Sequence, residues 1–342
     1  MKSIDSDIKN GRIRNIYLLI GVEPYLIHMY RDRLVNALVG SDDEINCKRY
    51  TGTIGDMNAL IEYADTVPFF SDRKVLVLED TGLFKSSDDT LASYLKVMPD
   101  TTHIIFVECY SGSRSEERKY EKALIDKRYK LYKTVHELGR IIEFKRMSPD
   151  VLTRWLLKKF SDEGLNITRN AMDRLLEYVG DDMMMLDNEA AKLTGYRLGH
   201  GSIDEDDVKA ICTRNIANDI FEMTGAIASG NGHKALKLYY DLLALKESPI
   251  RILALIGREF NLLLRVKSIR QKGGGKDDIV KETGINPYFA GKYITIAERL
   301  GYDYLKGAIK DCVDTEEDFK QGRLGDCIGV ELLIVKYTSK KR

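Results

Sequence analysis

The stretch T-V-P-F-F-S-D-R-K-V-L-V-L-E-D, residues 66–80, decides how the first part of the chain folds. Residues 75–78 form an unbroken aliphatic run that ends at Glu79 and Asp80. Such a short apolar run, closed by charged residues, is typical of a strand buried on both faces of a parallel sheet. We therefore predict a buried strand here, with its two acidic residues where the strand meets solvent.

Two adjacent phenylalanines, Phe69 and Phe70, lie just before this strand and follow Pro68. Proline disfavours the helical conformation in the residue before it, so a helix predicted over residues 60–64 is expected to stop at Val67. The two rings then lie in a connection between a helix and a strand. From the pattern alone they either fill the core, as large apolar side chains usually do, or form a contact surface.

Strands and helices alternate on both sides of this stretch. Residues 16–20 and 103–108 are compact apolar runs of strand length, and Leu26 and Ala37 mark the buried face of a helix that lies between them. A chain that alternates in this way predicts an α/β domain with an open, mainly parallel sheet. We place this domain at residues 1–145.

The first turn from strand to helix, Gly21-Val22-Glu23-Pro24-Tyr25, occupies the position of a phosphate-binding loop. It lacks the Gly-Lys-Ser/Thr sequence that holds a triphosphate, and the carboxylate of Glu23 would repel one. We therefore interpret this turn as one that does not bind nucleotide.

Other catalytic and metal-binding patterns are missing from the sequence. The five histidines are far apart, and no pair has the spacing that places two imidazoles on one helical face. Glu79 and Asp80 could hold magnesium in a nucleotide hydrolase, but without a phosphate loop we interpret them as solvated acids. We expect no catalytic residues, no metal site and no cofactor.

The composition excludes several classes of protein. Lys and Arg number 53, as do Asp and Glu, so net charge gives no general attraction to nucleic acid or membranes. The five cysteines are scattered without a CxxC pair, which argues against a disulfide framework and a zinc site. The sequence has neither a signal core nor an apolar run long enough to span a membrane. We expect a cytoplasmic protein that is not exported.

A polar segment at residues 111–120 precedes a basic run at residues 122–133, in which Tyr129 and Tyr132 are interleaved with Lys and Arg. We expect the polar segment to be a mobile loop. Basic residues with aromatic neighbours can bind phosphates and stack on bases, whereas the ordinary alternative is a solvated helix face. Both interpretations of the basic run stay open.

From Ser148 onward the sequence is nearly all helical. Ser148 and Pro149 predict a helix start with a capping hydroxyl, and further helices are expected after Thr168 and after Asp182. A polar connector, a flexible glycine-rich linker and a closing helix are expected at residues 202–207, 270–278 and 328–337.

Six short pieces of the sequence resemble, in the same order, the delta subunit family of the bacterial DNA polymerase III clamp loader. They are I-Y-L-L-I-G-V-E-P-Y-L-I (16–27), V-P-F-F-S-D-R-K-V-L-V-L (67–78), D-K-R-Y-K-L-Y-K (126–133), L-T-R-W-L-L (152–157), L-D-N-E-A-A-K-L (186–193) and D-F-K-Q-G (318–322). The similarity extends over nearly the whole chain, and the shared order gives these short pieces their weight.

The resemblance implies an AAA+-like α/β domain at residues 1–145, a helical lid domain at 146–210 and a helical collar domain at 211–342. The implied partners are the other loader subunits (tau/gamma and delta prime) through the collar, the sliding clamp (beta) and primer-template DNA. Because the family's phosphate loop is degenerate, the subunit is expected neither to bind nor to hydrolyse ATP. It would have no active site of its own, although it belongs to the DNA polymerase III holoenzyme, a nucleotidyltransferase complex.

The clamp-binding element of the family maps onto Pro68, Phe69 and Phe70, with Phe69 where many members have leucine. Arg73 either orients this turn or is a solvated charge. The resemblance thus implies a subunit that binds the sliding clamp and helps to open it for loading onto primed DNA during chromosomal replication.

A further expectation is DNA contact by Arg114, Arg118 and Lys119. Two other functions are compatible with the chain, namely an ATP-hydrolysing AAA+ enzyme with an atypical phosphate loop and a DNA-binding scaffold protein. The missing lysine predicts no ATP turnover, and the neutral net charge counts against general DNA binding.

Overall fold

The computed structural model describes residues 2–40, 43–112, 114–197, 201–213 and 216–339, without the side chains of Lys2, Arg114, Ser115 and Arg118. Contacts within the chain divide it into two compact units, Met1–Arg146 and Met147–Arg342. The first unit is built around a sheet, and the second is almost entirely helical. No helix of the described residues is both long enough and apolar enough to cross a membrane.

Five strands form the sheet of the first unit: β1 (Ile16–Gly21), β2 (Cys47–Thr51), β3 (Lys74–Glu79), β4 (Thr102–Cys109) and β5 (Arg140–Phe144). Their order in the sheet is β2-β3-β4-β1-β5, and every pairing of neighbours is parallel. Leu78 of β3 lies opposite Phe106 of β4, which in turn lies opposite Leu18 of β1. Residues 74–78 of β3 are all buried, so the predicted strand buried on both faces is confirmed, as is the predicted open parallel sheet.

In the described part of this unit, six α-helices accompany the sheet: α1 (Lys2–Lys9), α2 (Pro24–Val39), α3 (Met57–Asp65), α4 (Thr90–Tyr94), α5 (Tyr120–Leu124) and α6 (Lys130–Leu138). As predicted, the helix before Pro68 stops early, because α3 ends at Asp65 and Thr66 is already extended. Ala37 was expected on the buried face of α2 but is exposed, since Leu34, Val35 and Leu38 fill that face.

The polar segment at residues 111–120 is not simply a loop, as was expected. Residues Arg114–Lys119 form a 3-10 helix, and α5 begins directly after it. Tyr120 is buried, and its hydroxyl donates a hydrogen bond to Glu143 of β5. This contact fixes the end of the segment to the sheet, which explains why its polar composition did not produce an irregular loop.

The second unit contains eleven helices in its described residues: α7 (Pro149–Asp162), α8 (Arg169–Val179), α9 (Met183–Tyr196), α10 (Glu205–Ile211), α11 (Ile216–Ser229), α12 (Gly232–Ala244), α13 (Pro249–Gln271), α14 (Lys276–Thr283), α15 (Pro287–Arg299), α16 (Tyr302–Lys320) and α17 (Asp326–Ser339). The long helix α13 packs against α11 and α14–α17, and Ile252, Ile256, Phe260 and Leu263 form its buried stripe. The helices expected after Thr168 and Asp182 are confirmed, and both residues accept capping hydrogen bonds.

Three local predictions in this unit were wrong in part. Ser148 precedes α7, but its side chain makes no capping hydrogen bond. The polar connector at 202–207 contains the short strand β7 (Ser202–Ile203), which pairs in parallel with β6 (Asn166–Ile167), and Asp204 then caps α10. The linker at 270–278 is shortened from both sides, because α13 continues to Gln271 and α14 begins at Lys276.

Candidate functional site

The connection between α3 and β3, residues 66–73, carries two aromatic rings on the surface of the first unit. Phe69 is 58% exposed and Phe70 is 96% exposed, so neither ring fills the core. The ring centroids lie 4.5 Å apart in an edge-to-face arrangement, which is favourable for aromatic pairs. Val67, which is 86% exposed, extends the apolar surface. Of the two alternatives that the sequence left open, the structure has the rings as an exposed surface.

Phe70 has a positive φ of 49°, which is unusual for a residue with a bulky side chain. A residue held in this region costs about 1–3 kcal/mol, and the conformation persists only where the surroundings fix it. Asn46 supplies part of that constraint, because its side chain bonds both the N–H and the carbonyl of Phe69 at 2.7 and 2.9 Å. The 66–73 loop is therefore a constrained structure that presents apolar side chains to solvent.

Lys74, the first residue of β3, fixes the start of the 66–73 loop through Thr66. Its buried ammonium donates hydrogen bonds to the carbonyl oxygens of Tyr63 at 3.0 Å and Thr66 at 2.7 Å, and also contacts the Thr66 hydroxyl. The same ammonium lies 4.5 Å from the centroid of the Tyr63 ring. Burial lowers the pKa of Lys74, whereas a cation at the C-terminal end of α3 is favoured by the helix dipole.

Pro68 and Arg73 flank the two rings, as the sequence predicts. Pro68 is half-buried and follows the end of α3, whereas Arg73 is half-buried beside Ser71. The Ser71 hydroxyl donates to the Arg73 carbonyl at 3.1 Å and accepts from the Arg73 backbone N–H at 3.3 Å. These bonds fix the backbone of Arg73 at the end of the 66–73 loop.

The turn between β1 and α2 follows the first strand, as a phosphate-binding loop does, but its sequence is different. A Cβ atom on Gly21 would lie 2.0 Å from the carbonyl oxygen of Phe144, so only glycine fits beside β5. Val22 and Glu23 are buried, and Pro24 is the first residue of α2, with the half-buried Tyr25 after it. A buried carboxylate thus lies within this turn.

Arg146 is the counter-charge of this buried carboxylate. One guanidinium nitrogen lies 3.3 Å from Oε2 of Glu23, and the other side of the same guanidinium bonds Glu117 at 2.9 and 3.1 Å. The two carboxylates lie in the β1–α2 turn and in the 3-10 helix, which are far apart in sequence. Arg146 therefore joins the turn to the segment that carries Lys119.

The acidic residues at the end of β3 are engaged by protein groups. Glu79 forms an ion pair with Arg31 of α2, and Asp80 accepts a hydrogen bond from the backbone N–H of Cys109 at 2.8 Å. Asp80 is exposed, as predicted, but Glu79 is only half-exposed, so the expectation of two solvated acids was wrong for Glu79. In the part of the chain that the structure describes, no three His, Cys, Asp or Glu side chains are grouped so as to hold a metal ion.

Glu108 lies on β4 close to this edge and is buried. Burial raises the pKa of Glu108 to about 8, with a further increase from Asp80 and an opposing effect of Lys85 and the Thr81 backbone. Among the described residues, nothing donates a hydrogen bond to its Oε1 atom. A neutral carboxyl group is the form that this environment favours.

The basic run is largely neutralised where the structure describes it. Lys127 pairs with Glu121 and Lys130 pairs with Asp89, both across short contacts on the surface. Arg128 likewise pairs with a carboxylate, that of Asp126. Three of the five basic residues of the run are therefore paired, and Lys122, which belongs to the run, lines a cavity of about 490 Å³ together with Lys85.

The predicted DNA contacts lie in the 3-10 helix. Lys119 is exposed, whereas the side chains of Arg114 and Arg118 lie outside the described residues. The sequence did not indicate Asn46, Lys74 or Arg146 as site residues. The signal available in the sequence was the position of Lys74 at the start of the aliphatic run 75–78, because a charge buried there needs hydrogen-bonding partners.

The whole fold is shared with a solved structure. The chain resembles the Bacillus subtilis DNA clamp loader delta protein with a TM-score of 0.73 and 21% sequence identity, over 99% of both chains. Together with the parallel sheet and the helices that follow it, this likeness confirms the predicted fold class of an α/β domain with an open, mainly parallel sheet followed by helical structure.

Two family models match the sequence itself. The model described as DNA polymerase III, delta subunit, matches residues 17–137, and the model of the C-terminal domain of that subunit matches residues 217–337. Together they match well over half of the chain. The chain belongs to the DNA polymerase III delta subunit family, which acts in DNA replication.

Curated relatives agree with this assignment. The chain is 24% identical to the DNA polymerase III subunit delta of Bacillus subtilis over 340 residues, which cover 96% of this chain and 94% of the relative. It is 23% identical to the probable DNA polymerase III subunit delta of Aquifex aeolicus over 283 residues, covering 80% and 77%. The similarity predicted from the six sequence pieces is confirmed.

Proposed function

We propose that this chain binds a sliding clamp through Phe69 and Phe70 and helps to open the ring for loading onto primed DNA. The observation that carries the proposal is the exposed aromatic pair on a loop that Asn46 and Lys74 hold in place. Large apolar groups in a fixed conformation are the usual anchors of protein interfaces, since little ordering is needed when they bind.

The magnitude of the contact agrees with this role. Burying a phenylalanine side chain contributes about 1.5–3 kcal/mol, and Phe70 has more exposed surface to bury than Phe69. Pro68 contributes by ending the preceding helix, and Arg73 adds charge at the rim, where a solvated charge contributes little to affinity. We therefore expect Phe70 to be the stronger anchor.

Opening the ring requires more than an anchor. A protein opens a closed ring only to the extent that it binds the open form more tightly than the closed form. We infer that surface next to the 66–73 loop fits only the opened clamp, and that ATP-driven steps in partner subunits expose or hide this surface. The buried Glu23 and its partner Arg146 support a subunit that does not hydrolyse ATP itself.

The collar is the proposed contact with the other loader subunits, tau/gamma and delta prime. On α17, Ile328, Leu332 and Val335 follow one another at helical spacing and are exposed, whereas Leu333 and Tyr337 are buried. An exposed apolar stripe on a helix is a common interface with another helix. We propose a lid at residues 146–210 and a collar at 211–342, with this stripe as part of the assembly surface in a cytoplasmic complex.

DNA contact is proposed for the 3-10 helix within the assembled loader. Lys119 is exposed there, and the guanidinium of Arg146 joins this helix to the β1–α2 turn through Glu117 and Glu23. Alanine substitution of Arg114, Arg118 and Lys119 together is expected to weaken primer-template binding and to reduce its dependence on salt. Unchanged binding and salt dependence would remove this part of the proposal.

The central test is clamp binding by a Phe69→Ala/Phe70→Ala variant. We expect loss of most of the affinity for the purified sliding clamp, measured by calorimetry, because the variant removes both anchors. Tyr196→Ala is the matched control, since this exposed aromatic residue lies on α9 in the other unit. Undiminished binding by the double variant would overturn the proposed function.

Two further measurements separate the alternative functions. Magnesium-dependent ATP turnover by the isolated chain would favour an ATP-hydrolysing enzyme, and we expect none. Tight, sequence-independent DNA binding without selective capture of the clamp would favour a DNA-binding scaffold. Capture of the clamp with and without nucleotide supports the clamp-loader function.

A further inference from the structure

The turn at residues 43–46 is hydrogen-bonded both to strand β3 and to the 66–73 loop. The backbone carbonyl of Asn46 accepts a hydrogen bond from the N–H of Val75 in β3 at 2.8 Å. Its side chain accepts from the N–H of Phe69 at 2.7 Å and donates to the carbonyl of Phe69 at 2.9 Å. Asn46 thus pairs with Phe69 as a residue of a neighbouring strand would, but through its carboxamide.

The orientation of this carboxamide is determined by Asp43. One oxygen of Asp43 accepts from the side-chain nitrogen of Asn46 at 2.7 Å, and the other accepts from its backbone N–H at 2.8 Å. A rotated carboxamide would place its oxygen against two acceptors and its NH₂ group against the N–H of Phe69. Only one orientation therefore satisfies Asp43 and Phe69 together.

The supporting residue Asn46 is buried, whereas the two rings on the loop that it supports are exposed. Asn46 is 2% exposed, whereas Phe69 and Phe70 lie in solvent. Because both rings are largely exposed, we expect polar bonds to the buried side to fix their backbone conformation. Lys74 supplies such bonds at residue 66, and Asn46 supplies them at Phe69 itself.

We propose that Asn46 is a positioning residue of the clamp-binding site, which holds Phe69 and Phe70 in the binding conformation before the clamp arrives. This inference rests on the proposed function. Without the two bonds to Phe69, the loop samples other conformations, and binding must then order it at a cost in affinity. Asn46 itself stays under the loop and need not touch the clamp.

The test compares Asn46→Ala and Asn46→Asp with the unaltered chain. Asn46→Asp keeps the shape of the side chain and the acceptor for Phe69 but loses the donor to Phe69 and faces the carboxylate of Asp43. We expect both variants to bind the purified sliding clamp about tenfold more weakly, with a less favourable binding entropy. Asn58→Ala is the control, because Asn58 is an exposed asparagine of α3.

A second set of variants distinguishes positioning from general damage. In a Phe69→Ala/Phe70→Ala background, Asn46→Ala is expected to cause no further loss of affinity, since it acts through the rings. Amide hydrogen exchange at Phe69 should become faster in Asn46→Ala, while exchange in β1 and β4 stays slow. These two results would show that the sheet remains folded and that the effect is confined to the loop.

The outcomes separate this inference from the proposed function. If the double phenylalanine variant binds normally, the proposed function fails. If that variant loses affinity but both Asn46 variants bind normally, the positioning role of Asn46 is overturned while the proposed function stands. An equal loss caused by Asn46→Ala with and without the rings would also overturn it, since Asn46 would then act elsewhere.

Discussion

Gly21 of β1 lies so close to Phe144 of β5 that a Cβ atom on Gly21 would be 2.0 Å from the Phe144 carbonyl oxygen. The same glycine ends the strand that leads into the β1–α2 turn. The packing of β1 against β5 therefore requires glycine at position 21, whether or not a nucleotide binds nearby.

Gly21→Ala is expected to destabilise the chain by roughly 3 kcal/mol, because the obstacle is backbone that cannot move without breaking the sheet. The free energy of unfolding, measured in urea, checks this. Gly55→Ala is the matched control, since nothing lies within 4 Å of a Cβ atom built there. Equal effects of the two substitutions would contradict the role of the close approach.

Arg146→Met is expected to lower the free energy of unfolding by roughly 1–3 kcal/mol. The substitution keeps most of the side-chain volume but removes the guanidinium that faces the buried carboxylate of Glu23. Adding Glu23→Gln should recover part of the loss, because the buried charge is then also removed. Lys158→Met, which breaks an exposed pair with Asp162, is the control and should change stability little.

Glu108 is expected to contribute a loss of stability as the pH rises from about 4.5 to about 8, because burial raises its pKa from 4.5 to about 8. In this interval the folded chain keeps a proton that the unfolded chain has lost, so the slope is at most about 1.4 kcal/mol per pH unit for one group. Glu108→Gln should reduce the slope. Urea unfolding at several pH values measures it.

Glu259 provides a check on this assignment. Burial raises the pKa of Glu259 to about 7, so it contributes a slope of the same sign over a narrower interval. The decline should therefore persist in part after Glu108→Gln and weaken further in the double variant with Glu259→Gln. A slope that neither substitution changes would show that other groups control the pH dependence.

Leu332→Glu is expected to leave folding intact and to weaken assembly with the other loader subunits. Leu332 is exposed on α17, and surface substitutions usually change stability by less than about 0.5 kcal/mol. Analytical ultracentrifugation of the reconstituted complex measures the assembly. Leu333→Ala is the contrast, since truncating this buried neighbour should cost roughly 2–5 kcal/mol of stability. Full assembly by Leu332→Glu would contradict the proposed collar surface.

The parts of the fold that depend on local patterns could be predicted from the sequence. The strand over residues 75–78 could be predicted because an unbroken aliphatic run fits a buried strand. The starts of α8 and α9 could be predicted because Thr168 and Asp182 are residue types that cap helices. Prediction failed where the same residue types occur in more than one kind of local structure. Residues 202–207 look like a polar connector, but Asp204 and its neighbours are polar because they begin a helix.

The support of the candidate site could not be predicted, because it consists of contacts between residues far apart in sequence. Asn46 and Phe69 are 23 residues apart, and Arg146 and Glu23 are 123 residues apart. Nothing in either local sequence specifies the partner. Exposure of the two phenylalanines was equally undetermined, since their place on a short loop is compatible with a core position until the loop's anchors are known.

A nucleotide enters and leaves its site, but the carboxylate of Glu23 does neither. It is covalently part of the β1–α2 turn, and Arg146 holds it there. A tethered group has a local concentration on the order of millimolar or more, which a dissociable anion must exceed to displace it. Under the proposed function, no nucleotide would enter this turn, and the timing of clamp loading would be set by signals from outside it.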